Sequence, residues 1–166
     1  MRRGLECPKV IHIRGTRRMI AVDTNILVYA VREDSPWHKA AMACMRDLAE
    51  GSSTWAIPWP CIHEYIAVVT HPRIYKPPTP LRDALLQVDY WIESPGLRLL
   101  GEGLNYWDHL KEILNTSKAA GPIVHDAHVL SICLGHGVLE IWTADRDFSR
   151  FRGIRARNPL IDSARE

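Results

Sequence analysis

Short apolar runs alternate along this chain with stretches in which apolar residues recur every three or four positions. Residues 20–23 (Ile-Ala-Val-Asp) read as a first strand and 25–31 as a short helix. Ser35-Pro36 reads as a helix cap followed by proline at the first helical position, with Trp37, Ala41, Cys44, Met45 and Leu48 at helical spacing and Gly51 as the stop. Residues 54–57 form the second expected strand, and Pro58 and Pro60 open a helix through Ile62, Ile66 and Val69. The proline-rich stretch 71–80 is a loop, and Thr79-Pro80 should cap a helix whose apolar face is Leu81, Leu85, Val88 and Ile92. A strand at 97–100 comes next, then a helix at 105–119 with Trp107, Leu110 and Leu114 inward. A further helix at 122–135 turns Ala127, Leu130 and Leu134 to one side. A strand at 140–143 and an edge strand within 153–160 complete the pattern. Strands alternating with helices predict an α/β fold, a three-layer α/β/α sandwich around a mostly parallel central sheet.

With 166 residues, 46% apolar and 24% charged, the chain fits one domain and excludes a disordered segment of this length. No run of eighteen apolar residues occurs, so no membrane helix is expected. The early arginines are not followed by an apolar segment, so no signal peptide is expected. The four cysteines (Cys7, Cys44, Cys61, Cys133) form no C-x-x-C pair, which argues against zinc or a disulfide framework and fits a reducing cytoplasm. Net charge is +2, but residues 1–18 carry six basic side chains against Glu6 alone, leaving the remaining 148 residues mildly acidic. Residues 1–18 show no sustained periodicity and are expected to be a flexible appendage, with Met19 as a natural start. The folded domain should span 19–160, with 161–166 as a tail. A globally basic surface is excluded as the basis for binding nucleic acid. The local basic run is Arg146, Arg150, Arg152, Arg155 and Arg157.

The informative residues are acids at element boundaries. Asp23 closes the first strand and Asp145 follows the fourth, and ligands of open α/β sheets bind beyond the carboxyl ends of strands. Asp126 lies near the start of a helix, where the dipole favours an ionised carboxylate. Glu64 lies in the first turns of the helix after the second strand. Each also has a purely local reading: Asp23 as a cap, Glu64 as a solvent-facing helix residue, Asp126 as a first-turn acid, Asp145 and Asp147 as turn formers. Gathered at one mouth, they would repel. Two unit charges 4 Å apart cost about 1 kcal/mol in water and about 4 kcal/mol at an effective dielectric of 20. Protonation or a divalent ion relieves that cost, and oxygen-only ligands suit Mg²⁺ or Mn²⁺, the equipment of metal-assisted phosphodiester hydrolysis.

At these residues the chain resembles PIN-domain ribonucleases, most closely the VapC toxins of type II toxin–antitoxin systems. The resemblance rests on Val-Asp-Thr-Asn-Ile-Leu at 22–27, Glu64 in Pro-Cys-Ile-His-Glu-Tyr, His125-Asp126-Ala127, and Thr143-Ala-Asp145-Arg-Asp147-Phe148. Val-Thr-His-Pro-Arg-Ile at 69–74 and Asn-Pro-Leu at 158–160 resemble one VapC branch. It implies an endoribonuclease dependent on Mg²⁺ or Mn²⁺, with Asp23, Glu64, Asp126 and Asp145 as the catalytic, metal-holding acids and Asp147 as a fifth ligand. Thr24 and Thr143 would orient carboxylates. Lys39, Arg73, Arg146, Arg150 and Arg152 are candidates to position RNA phosphates. It further implies a homodimer and a small VapB-like antitoxin that lays a peptide along an apolar groove. Trp37, Trp55, Trp59 and Trp91 are candidates to line that groove, with core packing as the alternative for each. The other readings in play are a PIN nuclease for RNA processing and a non-catalytic RNA- or protein-binding module.

Competing motifs fail on inspection. His63-Glu64 is followed by Ala67 where H-E-x-x-H needs histidine, and neither G-x-x-x-x-G-K-[ST] nor G-x-G-x-x-G occurs. His125 and His128 have metal-compatible spacing, but no second pair accompanies them. Asp23-Thr24-Asn25 lacks the second acid that an aspartyl-phosphate phosphatase uses.

Overall fold

A computed structural model describes residues 19–162. The expectations for 1–18 and for 163–166 lie outside the described residues. Five strands, β1 (Ile20–Val22), β2 (Trp55–Pro58), β3 (Leu97–Leu100), β4 (Glu140–Trp142) and β5 (Arg155–Arg157), form one sheet in the order β3-β2-β1-β4-β5. Every pairing is parallel. β1 and β2 are wholly buried, as the inner strands of a parallel sheet covered on both faces must be. The expected edge strand is β5.

Among the described residues seven helices connect and flank the strands: α1 (Thr24–Val31), α2 (His38–Glu50), α3 (Trp59–Val69), α4 (Leu81–Ile92), α5 (Tyr106–Ser117), α6 (Ile123–Gly135) and α7 (Pro159–Asp162). From β1 the chain steps outward to β2 and β3, then crosses back past β1 to β4 and β5. Parallel crossovers are right-handed, so the reversal puts the two groups of connecting helices on opposite faces. The packing agrees: α1 lies against α2 and α3, and α3 against α4, while α5 pairs with α6. The order reverses between β1 and β4, and there the crevice at the carboxyl edge opens.

Several local expectations are corrected. Ser35-Pro36 does not cap α2. Ser35 Oγ accepts from the Trp37 backbone N–H at 3.2 Å, a turn intervenes, and the helix begins at His38 after Trp37. Trp37 is therefore exposed, while Ala41, Cys44, Met45 and Leu48 are buried as expected. Thr79 does not cap α4: Pro80 occupies that position, and Thr79 Oγ1 accepts from Arg32 Nη1 at 3.1 Å. The inward face of α4 is Ala84, Val88 and Trp91, leaving Leu81, Leu85 and Ile92 exposed. Eight of its twelve residues are apolar, so periodicity permits two stripes. Trp91 selects one by packing edge-on against Tyr65 of α3, ring centres 4.9 Å apart. In α5, Leu110 and Ile113 are buried and Trp107 is exposed. Leu114 and, in α6, Leu134 are only partly buried. α7 runs to Asp162, two residues into the expected tail, and packs against α2.

Candidate active site

Asp23 stands at the turn from β1 into α1. Its backbone N–H extends the ladder by donating to Trp142 O at 3.0 Å, and its side chain caps α1 by accepting from Thr24 N at 2.8 Å through Oδ1. Oδ2 accepts from Thr143 Oγ1 and from Asn25 Nδ2, each at 2.7 Å. Cys61 Sγ approaches Oδ1 at 3.7 Å. Only 6% exposed, the carboxylate is taken from water, and burial pushes its pKa up to about 6, with the charge of Glu64 adding to the rise and the hydrogen bonds opposing it. The cap reading holds for this side chain.

Thr143 and Asn25 join the ends of β1 and β4. The buried Thr143 hydroxyl donates to Asp23 and accepts from Asp145 N at 3.0 Å and Asn25 Nδ2 at 3.1 Å. Asn25 Oδ1 accepts from Ala144 N at 2.9 Å. Sequence reasoning assigned Thr143 a positioning role but gave none to Asn25. Its signal was present as the polar residue two past Asp23, facing back along the first helical turn. Thr24, the other expected positioning residue, donates through Oγ1 to Glu64 Oε2 at 2.7 Å, fixing α3 to the start of α1.

Asp126 sits in the first turns of α6, partly buried. Its pKa is pushed up to about 6, first by burial, then by the charges of Asp23, Asp145, Asp147 and Glu64. All five predicted acids thus act on one locality from α1, α3, α6 and the segment after β4. Asp145 is exposed and caps a 3-10 turn, Arg146–Arg150, by accepting from Asp147 N at 2.8 Å. Asp147 is exposed and pairs with Arg150 at 3.1 Å. That pair partly neutralises the fifth acid and occupies one predicted phosphate-binding arginine. Arg146 and Arg152 are exposed nearby in sequence. Lys39 on α2 and Arg73 in the loop after α3 are exposed, and among the described residues neither bonds to the acids.

The donor set is all oxygen, negatively charged and mutually repelling, which is the chemistry a hard divalent ion satisfies. Among the described residues no three His, Cys, Asp or Glu side chains are drawn into a closed ligand set. Asp23 accepts instead from Thr24 N, Asn25 Nδ2 and Thr143 Oγ1, and Glu64 from Thr24 Oγ1. His125 and His128 form no metal pair: His128 Nε2 bonds Glu102 Oε1 at 3.0 Å. Of the predicted groove tryptophans, Trp55 and Trp91 are core residues, 0% and 6% exposed, Trp55 because β2 is covered on both faces and Trp91 because it lies on the inward face of α4. Trp37 and Trp59 are both 40% exposed.

The profile of the PIN domain matches residues 20–154. Among curated proteins, the chain is 32% identical over 138 residues to ribonuclease VapC48 of Mycobacterium tuberculosis, covering 83% of this chain and 95% of that one. It is 32% identical over 142 residues to ribonuclease VapC43 of the same species, covering 86% and 96%. Among solved structures it superposes on VapBC2 of Rickettsia felis with a TM-score of 0.61 at 16% identity, covering 84% of this chain and 98% of that one. For VapC20 of Mycobacterium tuberculosis, a toxin that cleaves the sarcin–ricin loop, the TM-score is 0.59 at 18% identity, with 82% and 98% covered. At those identities the structural likeness is one of fold. The chain belongs to the PIN-domain family and, within it, to the VapC ribonucleases, the toxins of toxin–antitoxin systems.

Proposed function

We propose that the chain hydrolyses RNA phosphodiester bonds at the mouth between β1 and β4, with Mg²⁺ or Mn²⁺ held by Asp23, Glu64, Asp126 and Asp145 and with Asp147 at the rim. The observation that carries this reading is the junction of β1 and β4, where Thr143 bridges Asp23 Oδ2 and Asp145 N while Thr24 ties Glu64 to the same turn; burial and the neighbouring acids push the Asp126 carboxyl up beside them. When bound, the ion supplies charge neutralisation at the scissile phosphate and a more acidic water. The chain's own residues do the rest. Thr143 and Asn25 fix both lone-pair directions of Asp23 Oδ2, and Thr24 fixes Glu64, so the acids are oriented before substrate arrives. Arg146 and Arg152, exposed beside this segment, are the candidates to contact phosphates, with Arg150, once released from Asp147, as a third. Lys39 and Arg73, exposed on other elements, are the remaining phosphate candidates.

The proposed partner is a small VapB-like antitoxin. Complexes of toxin and antitoxin recur among the structural neighbours, including VapBC2 of Rickettsia felis and a toxin–antitoxin complex of Klebsiella pneumoniae. A homodimer acting in the cytoplasm completes the proposal. The exposed apolar side chains of α2 and α4, among them Met42, Leu81, Leu85 and Tyr90, supply surface for such contacts. No helix among the described residues is long and apolar enough to cross a membrane.

The decisive variant is Asp23→Asn. Cleavage of a short single-stranded RNA by the parent should require Mg²⁺ and stop in EDTA. Asp23→Asn should fold, cleave only at background, and lose the rise in melting temperature that Mg²⁺ gives the parent. Parent-like cleavage by Asp23→Asn would refute the assignment.

A further inference from the structure

A cleft of about 510 Å³ opens between the first turns of α3, the segment after β3, and α6. Its lining includes Trp59 and His63 of α3, Gly101 and Glu102 beyond β3, and His128 and Ile132 of α6. The volume falls in the range of small-molecule sites. The acidic mouth does not use any of these side chains, yet it shares two walls with the cleft. On α3, Cys61 and Glu64 turn toward Asp23 and Thr24, while Trp59 and His63 turn to the cleft. On α6, Asp126 faces the acids, while His128 and Ile132 face the cleft.

The chemistry of the lining is specific. The Trp59 indole is 40% exposed, an expensive way to leave an aromatic ring, and the His63 ring lies beside it, centres 6.1 Å apart and tilted by 34°. Opposite, His128 is held by Tyr106, edge-on at 5.4 Å, and by Glu102 Oε1 at 3.0 Å. That bond uses one carboxylate oxygen and leaves Glu102 Oε2 as an acceptor. The loop itself is fixed, since Gly101 O bonds His136 Nε2 at 2.9 Å. No lysine or arginine lines the cleft, so it is not built for a phosphate or an acidic peptide. A flat, neutral, aromatic ligand with hydrogen-bond donors on one edge matches a π-face on one wall and a carboxylate on another.

We propose that the cleft takes one unpaired nucleobase of the RNA substrate. The base stacks on Trp59 and presents an exocyclic amino group to Glu102, which favours guanine, adenine or cytosine over uracil. The cleft lies beyond β2 and β3, and the acids beyond β1 and β4 with Glu64 on α3 beyond β2, along one sheet edge. Neighbouring strands are about 5 Å apart, so the two sites are separated by one or two strand widths. That separation suits a base adjacent to the scissile bond. The inference rests on reading this chain as an RNA-cutting enzyme and adds to it where sequence preference arises.

The experiment has a binding arm and a cleavage arm, each using the full chain. In EDTA, anisotropy of a labelled single-stranded RNA is read with the parent, Trp59→Ala, Trp59→Phe and Glu102→Gln, and again with an RNA carrying one abasic position. Stacking predicts a roughly tenfold or greater loss of affinity in Trp59→Ala, partial recovery in Trp59→Phe, and no further loss when the abasic RNA meets Trp59→Ala. In Mg²⁺, Glu102→Gln should level the discrimination against uracil at that position while cutting the abasic RNA as fast as the parent does. Circular dichroism checks that each variant folds. Base-dependent binding without cleavage by the parent would uphold the cleft and defeat the catalytic reading. Cleavage by the parent with affinity and preference unchanged in Trp59→Ala would defeat the cleft proposal and assign the surface to a protein segment.

Discussion

At the scale of single residues, the site is governed by how Asp23 is kept as a carboxylate in a place that disfavours charge. Three short donors act on it: Thr24 N–H, Asn25 Nδ2 and Thr143 Oγ1. A hydrogen bond to a charged group contributes about 1.5–3 kcal/mol. Thr143→Val keeps the shape and removes a donor, so it should destabilise the protein by about 2 kcal/mol at pH 8, where Asp23 is ionised. The cost should shrink at pH 4.5, where the side chain is protonated. Equilibrium urea denaturation at the two pH values reads both numbers, and an equal cost at both would show that the bond donated to Asp23 is not what Thr143 contributes. The acids were legible in the sequence because a carboxylate after an apolar strand is conspicuous. Asn25 was not, since an uncharged polar residue in a first helical turn has many ordinary uses. Its tie to the segment after β4 exists only because Thr143 and Ala144, 118 and 119 positions away, come within hydrogen-bond distance.

At the scale of elements, the strands and most helix faces followed from the periodicity, and the exceptions share a cause. Where a helix is apolar on more than one side, its neighbours choose which side is buried. α4 turns Trp91 onto Tyr65 because small Ala84 and Val88 on the same stripe let α4 approach α3 closely. Trp91→Ala should therefore cost about 3–5 kcal/mol, as for other buried large aromatics. Leu85→Ala, on the face the periodicity favours equally, should change stability by less than about 0.5 kcal/mol in the monomer. Chemical denaturation of both variants tests the orientation of the helix directly, and a large loss in Leu85→Ala with little in Trp91→Ala would reverse it. Caps were misread for a related reason. Ser35 and Thr79 have the right side chains, but backbone turns and Arg32 claim them first.

At the scale of the whole molecule, sheet order does the work that no local pattern announces. Alternating strands and helices imply a parallel sheet, but only the reversal between β1 and β4 makes Asp23 and Asp145 neighbours. The same arrangement makes the metal-free protein pay in stability for its acids, and the sign follows from protons. Unfolded aspartates release theirs near pH 3.8, whereas Asp23 and Asp126 in the folded chain hold theirs to about 6. Between those values the folded state binds more protons, so its stability falls as pH rises, fully present below about 4 and lost once pH passes 6. For Asp23 the difference between those two values corresponds to about 3 kcal/mol. Asp126 is only partly buried and adds less, since solvent screens it. In EDTA the melting temperature of the parent should therefore drop between pH 4.5 and pH 7.5, and Mg²⁺ should recover the loss at pH 7.5 but give little at pH 4.5. The informative quantity is the difference from Asp23→Asn, in which the contribution of that carboxylate is absent. Calorimetric scans showing the same pH slope for parent and variant would mean that Asp23 is ionised without cost, and that burial is not what sets the protonation of the site.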